Sequence, residues 1–182
     1  MNYKFKTKPY EHQLKALERS WDKEYFAYFM EMGTGKSKVL IDNASILYDK
    51  GEINGLLLVA PKGVYKNWYD GEIPTHMVNH IEKKVVLWET SNSSIEKIKE
   101  LNTLFASGTD FHILVMNVEA FSYPKATEFA RRFLSCHKAM MAIDESTTIK
   151  TPTANRTRNI MTLKPLAKYR RILTGSPITN SP

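Results

Sequence analysis

The sequence predicts a three-layer α/β domain whose mainly parallel sheet is flanked by helices. Two observations carry this prediction. Six short segments are apolar at nearly every position, as parallel strands are when helices cover both faces of their sheet. Longer segments of mixed or amphipathic character alternate with them, which is the order of strands and helices in an α/β domain. In such domains ligands bind beyond the carboxyl ends of the strands, so the loops there are candidates for chemistry.

The predicted elements follow from the apolar pattern along the chain. The strands are 25–30, 56–60, 85–88, 112–116, 140–143 and 170–173. The helices are 36–48, 64–72, 94–106 and 126–135. The third helix begins with Ser93 and Ser94 as candidate caps, and Ile95, Ile98 and Leu101 recur in it at helical spacing.

Length and composition indicate a soluble globular protein with one core. The chain has 182 residues, of which 42% are hydrophobic and 25% are charged. Its first residues lack the apolar stretch of a secretory signal, and apolar runs such as 56–60 fall far short of the roughly 20 residues that cross a bilayer. Cys136 is the lone cysteine, so no internal disulfide can form. We therefore expect a cytoplasmic protein that does not contact a membrane.

The net charge of +7 is unevenly distributed along the chain. Residues 1–119 carry 15 Lys and Arg against 16 Asp and Glu, whereas residues 120–182 carry 11 against 3. A basic excess confined to one third of the chain points to a surface that faces a polyanion. Scattered cations on a solvated face give the same composition, so charge alone leaves both interpretations open.

A glycine-rich loop follows the first predicted strand and leads into an apolar helix. Strand, glycine loop, Lys-Ser and helix is the order of a phosphate-binding loop. Backbone N–H groups of such a loop turn toward phosphate oxygens, and the helix N-terminus adds its positive dipole end. The lysine then reaches the β- and γ-phosphates, and the serine hydroxyl ligates Mg²⁺. The candidates for binding the nucleotide are Gly33, Thr34, Gly35, Lys36 and Ser37, with Ser37 also a candidate metal ligand.

The loop departs from the full phosphate-loop pattern at Met30, where that pattern has its first glycine. A chance Gly-Thr-Gly-Lys-Ser in an ordinary turn is the alternative. The strand before the loop and the helix after it favour the phosphate loop.

An acidic pair, Asp144 and Glu145, follows the fifth predicted strand. Taken alone, Asp-Glu after an apolar run is more often the start of a solvated loop. Beside a phosphate loop it is the arrangement that NTP hydrolysis requires. Asp144 then holds Mg²⁺, usually through water, and Glu145 orients and deprotonates the attacking water. The predicted catalytic residues are thus Lys36, Asp144 and Glu145.

The order of these motifs resembles the first, RecA-like P-loop lobe of superfamily 2 helicases and is nearest to the SWI/SNF-type translocases. The resemblance implies ATP and Mg²⁺ as cofactors. Residues 9–13 are similar to the glutamine motif of that family, which implies that the amide of Gln13 reads the adenine edge, with Tyr10 in support.

Further stretches look like family motifs that face nucleic acid or couple it to the nucleotide. Lys62 follows the second predicted strand, Asn117 the fourth, and Lys150 the acidic pair. Thr174 and Ser176 belong to a Thr-Gly-Ser-Pro-Ile-Thr-Asn segment that is similar to the motif coupling the nucleotide site to nucleic acid and the other lobe.

The resemblance implies that residues 1–182 form one ATP-binding lobe and that the second RecA-like lobe, with its arginine finger, is absent from the chain. The implied function is ATP hydrolysis coupled to movement on nucleic acid, with DNA favoured over RNA. The lobe alone is expected to be nearly inactive until a second lobe, in cis or in trans, supplies the arginine. A non-catalytic, nucleotide-dependent module that binds nucleic acid or protein is the alternative. A small-molecule phosphotransferase is disfavoured by the order of the motifs.

Overall fold

A computed structural model describes residues 3–89, 94–145 and 153–175. These residues form six strands in one sheet, and all neighbouring strands run parallel. The strands are β1 (Tyr25–Phe29), β2 (Gly55–Ala60), β3 (Lys83–Leu87), β4 (Phe111–Asn117), β5 (Ala139–Asp144) and β6 (Tyr169–Thr174). Their order across the sheet is β1-β6-β5-β2-β4-β3. All six predicted strands are confirmed to within two residues at each end.

Helices cover both faces of the sheet in the described part of the chain. They are α1 (Glu11–Ser20), α2 (Lys36–Asp49), α3 (Tyr65–Asn67), α4 (Ile73–His76), α5 (Ile95–Asn102), α6 (Pro124–Cys136) and α7 (Asn155–Leu163). A π-helical turn at Trp68–Glu72 joins α3 to α4. Within these ranges no helix combines the length and the apolar character needed to span a membrane. The predicted three-layer α/β architecture is confirmed.

The central strands separate two apolar layers because successive side chains of a strand point to opposite faces. Leu56 and Leu58 of β2 pack into the layer formed with α1 and α2. Leu57 and Val59 pack into the layer formed with α6 and α7. Every residue of β2 and β4 is buried, and each fully buried leucine contributes about 1.5–3 kcal/mol. The loops that follow these strands are therefore held on a rigid base.

The predicted helices differ from the observed ones in several places. α1 has no counterpart among the predicted helices, and the helix predicted over 94–106 ends as α5 at Asn102, with a 3₁₀ turn at Thr103–Phe105 after it. The segment predicted as one helix over 64–72 contains α3 and the π-helical turn, and the helical path continues through α4 to His76. α7 has no counterpart among the predicted helices. Only Thr157, Ile160 and Leu163 of its nine residues are buried, so its apolar period is weak.

A buried polar network fixes β6 against α1 and α2. Arg171 is 1% exposed, and its Nε donates to Asn43 Oδ1 at 2.8 Å while its Nη2 donates to the carbonyl of Ser20 at 2.9 Å. The hydroxyl of Tyr28 also donates to Asn43 Oδ1, at 3.3 Å. Because a buried donor without a partner is costly, this set holds α2 in one position relative to β1 and β6.

One face of β1 and β6 remains partly uncovered. Tyr25 is 57% exposed and Phe29 is 61% exposed, although parallel strands normally have both faces covered. Arg170 lies over the ring of Tyr25, 4.1 Å from its centroid, and donates to the Tyr25 hydroxyl. β1 thus has an exposed face, and it has one strand neighbour among the described strands.

Candidate nucleotide site

The phosphate loop and the acidic pair meet at the carboxyl edge of the sheet. β6 lies between β1 and β5, and its Thr174 is in register with Phe29 of β1. On its other side, Leu173 is in register with Asp144 of β5. The loops that follow β1 and β5 therefore flank the end of β6. Parallel strands bring their carboxyl ends to one edge, which is how residues more than 100 positions apart come together.

The glycine loop turns through two left-handed residues before α2 begins. Gly33 has a φ of 76° and Gly35 a φ of 79°, a region that glycine enters without steric strain. Gly35 is the N-cap of α2, so the N–H groups of the first helical turn point toward the loop. Within the loop, the hydroxyl of Thr34 donates to the carbonyl of Glu31 at 2.7 Å. Such a concave row of N–H groups at a helix N-terminus binds anions.

The ammonium group of Lys36 closes the loop on itself. It donates to the carbonyl of Met30 at 2.8 Å and to that of Glu31 at 2.9 Å. An ammonium group has three donors, so these two bonds leave one for a ligand and can exchange for phosphate oxygens. The adjacent Ser37 is partly buried at the start of α2.

The glutamine motif lies against the loop. Gln13 is 4% exposed, and its Nε2 donates to the carbonyl of Thr34 at 2.9 Å. Its Oε1 accepts from the backbone N–H of Tyr10 at 3.0 Å. Tyr10 is 70% exposed, and its ring stacks on the ring of His12. In this arrangement the amide of Gln13 supports the loop. Its reading of adenine stays a prediction.

Asp144 is held by a tryptophan from a distant segment. The indole Nε1 of Trp68 donates to Asp144 Oδ2 at 2.8 Å across 76 positions of sequence. Burial raises the pKa of the Asp144 carboxyl, and the hydrogen bond from Trp68 opposes that rise. The Asn-Trp stretch after β2 is visible in the sequence, but the contact with Asp144 has no sequence signal.

Glu145 has a strained backbone and contacts the end of β6. Its φ is 47°, which a residue with a side chain rarely adopts. The hydroxyl of Thr174 donates to Glu145 Oε1 at 3.2 Å. This contact joins the predicted base to the strand that carries the predicted coupling segment. Strain at such a position is a feature of functional sites and needs support from its surroundings.

The predicted nucleic-acid and coupling residues differ in exposure, and two of them lie outside the described residues. Lys62 is exposed just beyond the end of β2. Asn117 is 4% exposed, and its Oδ1 accepts from the N–H of Ala120, capping a 3₁₀ turn. Lys150 and Ser176 lie outside the described residues. These roles remain predictions.

The donor set suits Mg²⁺ in its usual nucleotide-bound form. Mg²⁺ takes oxygen ligands and is commonly bound through one or two carboxylates together with substrate phosphates. The hydroxyl of Ser37 and the carboxylate of Asp144 are donors of this kind at the same sheet edge. Among residues 3–89, 94–145 and 153–175 no group of three or more His, Cys, Asp or Glu forms a metal cluster.

Comparison with known proteins places the chain in a family. The model of the SNF2-related domain matches residues 28–182. The chain belongs to the SNF2-related domain family. The chromatin-remodeling ATPase INO80 of Schizosaccharomyces pombe (strain 972 / ATCC 24843) is 28% identical over 155 residues, which cover 83% of this chain and 9% of that protein.

Solved structures share the fold of this SNF2-related domain. The SWI2/SNF2 ATPase core of Sulfolobus solfataricus in complex with dsDNA has a TM-score of 0.73 and 21% identity, over 100% of this chain and 35% of that one. The UvsW helicase of bacteriophage T4 has a TM-score of 0.63 and 13% identity, over 93% of this chain and 53% of that one.

These matches confirm the resemblance to the first RecA-like lobe of SWI/SNF-type superfamily 2 proteins. The SNF2-related domain is of the ATPase and helicase-like class. The chain spans about a third of the length of the solved SWI2/SNF2 core.

Proposed function

We propose that this SNF2-related domain binds ATP with Mg²⁺ and hydrolyses it as the first lobe of a translocase on nucleic acid, with DNA favoured over RNA. One observation carries the proposal. The predicted phosphate loop after β1 and the acidic pair at the end of β5 lie on either side of the end of β6. A cation that binds phosphate and two carboxylates on one edge of a parallel sheet are the parts that NTP hydrolysis needs.

Nucleotide binding is assigned to the loop and the start of α2. The N–H groups of the loop between Gly33 and Gly35 donate hydrogen bonds to the phosphate oxygens. Lys36 exchanges the carbonyls of Met30 and Glu31 for phosphate oxygens, which gives stronger, charge-assisted bonds. Gln13 and the exposed ring of Tyr10 are the adenine contacts in this proposal.

Hydrolysis is assigned to the acidic pair. Ser37 and Asp144 hold Mg²⁺, which supplies positive charge to the phosphate oxygens. Glu145 orients the attacking water and accepts its proton. The hydroxyl of Thr174 fixes one oxygen of that base, so a movement of the segment after β6 reaches the base directly.

Movement on nucleic acid requires more than this edge of one sheet. We assign phosphate contacts to Lys62, Lys150 and the basic last third of the chain. Asn117, Thr174 and Ser176 take the nucleic-acid and coupling roles in this proposal. A solved SWI2/SNF2 core of the same fold is described in complex with dsDNA, which supports DNA as the track. A second RecA-like lobe, in cis or in trans, supplies an arginine finger in this proposal. Residues 1–182 then act as one lobe.

Thermal unfolding with and without nucleotide tests the phosphate loop. Millimolar ATP or ADP with Mg²⁺ should raise the melting temperature, because a ligand that binds only the folded state stabilises it. Lys36→Ala removes a charge-assisted contact worth about 1.5–3 kcal/mol, so nucleotide affinity should fall more than tenfold. Lys23→Ala, an exposed lysine just before the opposite end of β1, should keep the parent's shift.

Two outcomes of this test would overturn the assignment. The parent could show no shift with nucleotide, or Lys36→Ala could shift as much as the parent. A parent that binds ATP but never hydrolyses it, even with a second lobe and DNA present, would instead be a nucleotide-dependent binding module.

A further inference from the structure

The hydrogen bond between Trp68 and Asp144 joins two segments that the sheet places side by side. β2 pairs with β5, and Val59 near the end of β2 is in register with Ile143 near the end of β5. Trp68 lies in the segment that follows β2, at the start of the π-helical turn. Its side chain is 2% exposed, so the indole N–H is shielded from water and needs an acceptor within the protein. Asp144 Oδ2 supplies that acceptor at 2.8 Å.

The surroundings of Trp68 are built to keep it in place. A π-helical turn is rare and is frequently found at functional sites, and here it lies between α3 and α4. Gly71 within that turn lies so close to Asn67 that a β-carbon would approach Asn67 Oδ1 to 2.6 Å. Asn67 Nδ2 in turn donates to Glu72 Oε1 at 3.3 Å. The turn is thus packed against its own residues, and it aims the indole at the end of β5.

We infer that Trp68 is a positioning residue for Asp144: its N–H fixes one carboxylate oxygen and thereby sets the orientation in which the carboxylate meets Mg²⁺ and its waters. This inference rests on the proposed function, since it gives Asp144 a metal. Removing a hydrogen-bond partner that orients a metal ligand typically lowers metal affinity by about 10- to 100-fold.

The segment between β2 and α4 links an exposed lysine to this buried hydrogen bond. Lys62 is exposed at the beginning of that segment, and Trp68 is buried six positions later. A contact that shifts this segment would move the indole and, through one hydrogen bond, the carboxylate of Asp144. Through Trp68, the segment assigned to nucleic acid therefore contacts Asp144, the proposed metal ligand, directly.

The test separates the N–H group from the bulk of the indole. Trp68→benzothienylalanine keeps the shape of the buried ring and replaces the N–H by sulfur. Affinity for a fluorescent ADP analogue is measured against Mg²⁺ concentration and, separately, in EDTA. We expect the Mg²⁺ concentration at half effect to rise about tenfold or more, while affinity in EDTA stays at the parent's value. The EDTA value also shows that the variant is folded.

Trp88→benzothienylalanine is the matched control. Trp88 is also buried, at 5% exposure, but it packs beside Phe129 in the other layer of the core. Its substitution should leave the Mg²⁺ dependence unchanged. An unchanged Mg²⁺ dependence in the Trp68 variant, with a parent that does respond to Mg²⁺, overturns the inference and leaves the proposed function intact. A parent whose nucleotide binding is absent or indifferent to Mg²⁺ overturns both.

Discussion

The amide of Gln13 occupies the place where a β-carbon of residue 35 would stand: the distance from that position to Gln13 Nε2 is only 2.2 Å. Gly35 thus has two reasons to be glycine, its left-handed backbone and this close approach. Gly33 has nearly the same φ, yet a β-carbon there would meet nothing within 4 Å. The pair of glycines allows backbone strain and steric contact to be measured separately.

We predict that Gly35→Ala destabilises the domain more than Gly33→Ala. Gly33→Ala adds only the strain of a left-handed alanine, about 1–2 kcal/mol. Gly35→Ala adds the same strain and also displaces the amide of Gln13 from the carbonyl of Thr34. Urea unfolding without nucleotide measures both free energies. The double variant Gly35→Ala with Gln13→Ala should lose less unfolding free energy than the sum of the losses in the two single variants, because the clash needs both side chains. Simple additivity would contradict the contact.

The backbone of Glu145 predicts an order of stability between two variants that both lose the carboxylate. Asparagine tolerates the left-handed region better than glutamine does, so Glu145→Asn should be more stable than Glu145→Gln by about 0.5–1 kcal/mol. Thermal and urea unfolding measure the difference. Both variants should keep the nucleotide-induced shift, and any ATP turnover of the parent should fall to background. Equal stability would mean that φ at this position is relaxed in solution.

A buried ion pair in α2 predicts how stability depends on pH. Lys38 Nζ lies 2.7 Å from Asp42 Oδ2, and both side chains are almost fully buried. Burial raises the pKa of Asp42 from 3.8 to about 6, although the hydrogen bond from Lys38 opposes the rise. Between pH 4 and 6 the folded state therefore binds more protons at this group than the unfolded state. Its contribution to the free energy of unfolding falls as pH rises through that window.

Asp42→Asn should remove this contribution. The difference in unfolding free energy between parent and variant should change with pH by roughly 1–3 kcal/mol between pH 4 and 6.5, with the parent losing more. Because the two proteins share all their other titrating groups, such as His76, the pH-dependent contributions of those groups cancel in the difference. Asp22→Asn, beside the exposed Lys23, is the surface control. A difference that stays constant over this range would show that Asp42 titrates alike in both states.

The directions of α6 and α7 divide the basic residues into two sets. α7 stands in the chain between β5, which ends at the carboxyl edge, and β6, which begins at the opposite edge, so we expect Arg156 and Arg158 at its start to lie near the edge that carries the site. Arg131 and Arg132 come late in α6, which runs away from that edge. They also have internal contacts, since Arg131 donates to Thr162 and Arg132 lies over the ring of Phe105.

Charge reversal at Arg156 and Arg158 should therefore weaken DNA binding more than charge reversal at Arg131 and Arg132. Arg156→Glu with Arg158→Glu should lower affinity for a fluorescent duplex and reduce the salt slope by roughly 0.9 for each lost phosphate contact. Arg131→Glu with Arg132→Glu is the matched pair. Anisotropy titrations between 50 and 200 mM salt measure both. If the two pairs behave alike, the basic excess acts as a general charge and not as a located surface.

The strands and the loop motifs could be predicted because their signals are local. Buried parallel strands are apolar at nearly every position, and the glycine loop is a run of adjacent residues. α7 could not be predicted, since tertiary contacts hold its two buried apolar residues, Ile160 and Leu163, more than any amphipathic period does. The contact between Trp68 and Asp144 also had no sequence signal, because β2 and β5 become neighbours only when the sheet forms.

The position of β1 at the edge of the sheet has a consequence for the order of events during synthesis. β1 is the first of the six described strands to be made, yet its strand neighbour in the described sheet is β6, with Tyr25 opposite Arg170. The remaining four strands can assemble among themselves while the ribosome is still adding residues. Until residues 169–174 have left the ribosome, β1 has no strand neighbour from this sheet, and the glycine loop that follows it is not held in place. Because such distant pairing is slow to form, the ability to hold a nucleotide should appear only after the other five strands of this sheet have been made and β6 has paired with β1.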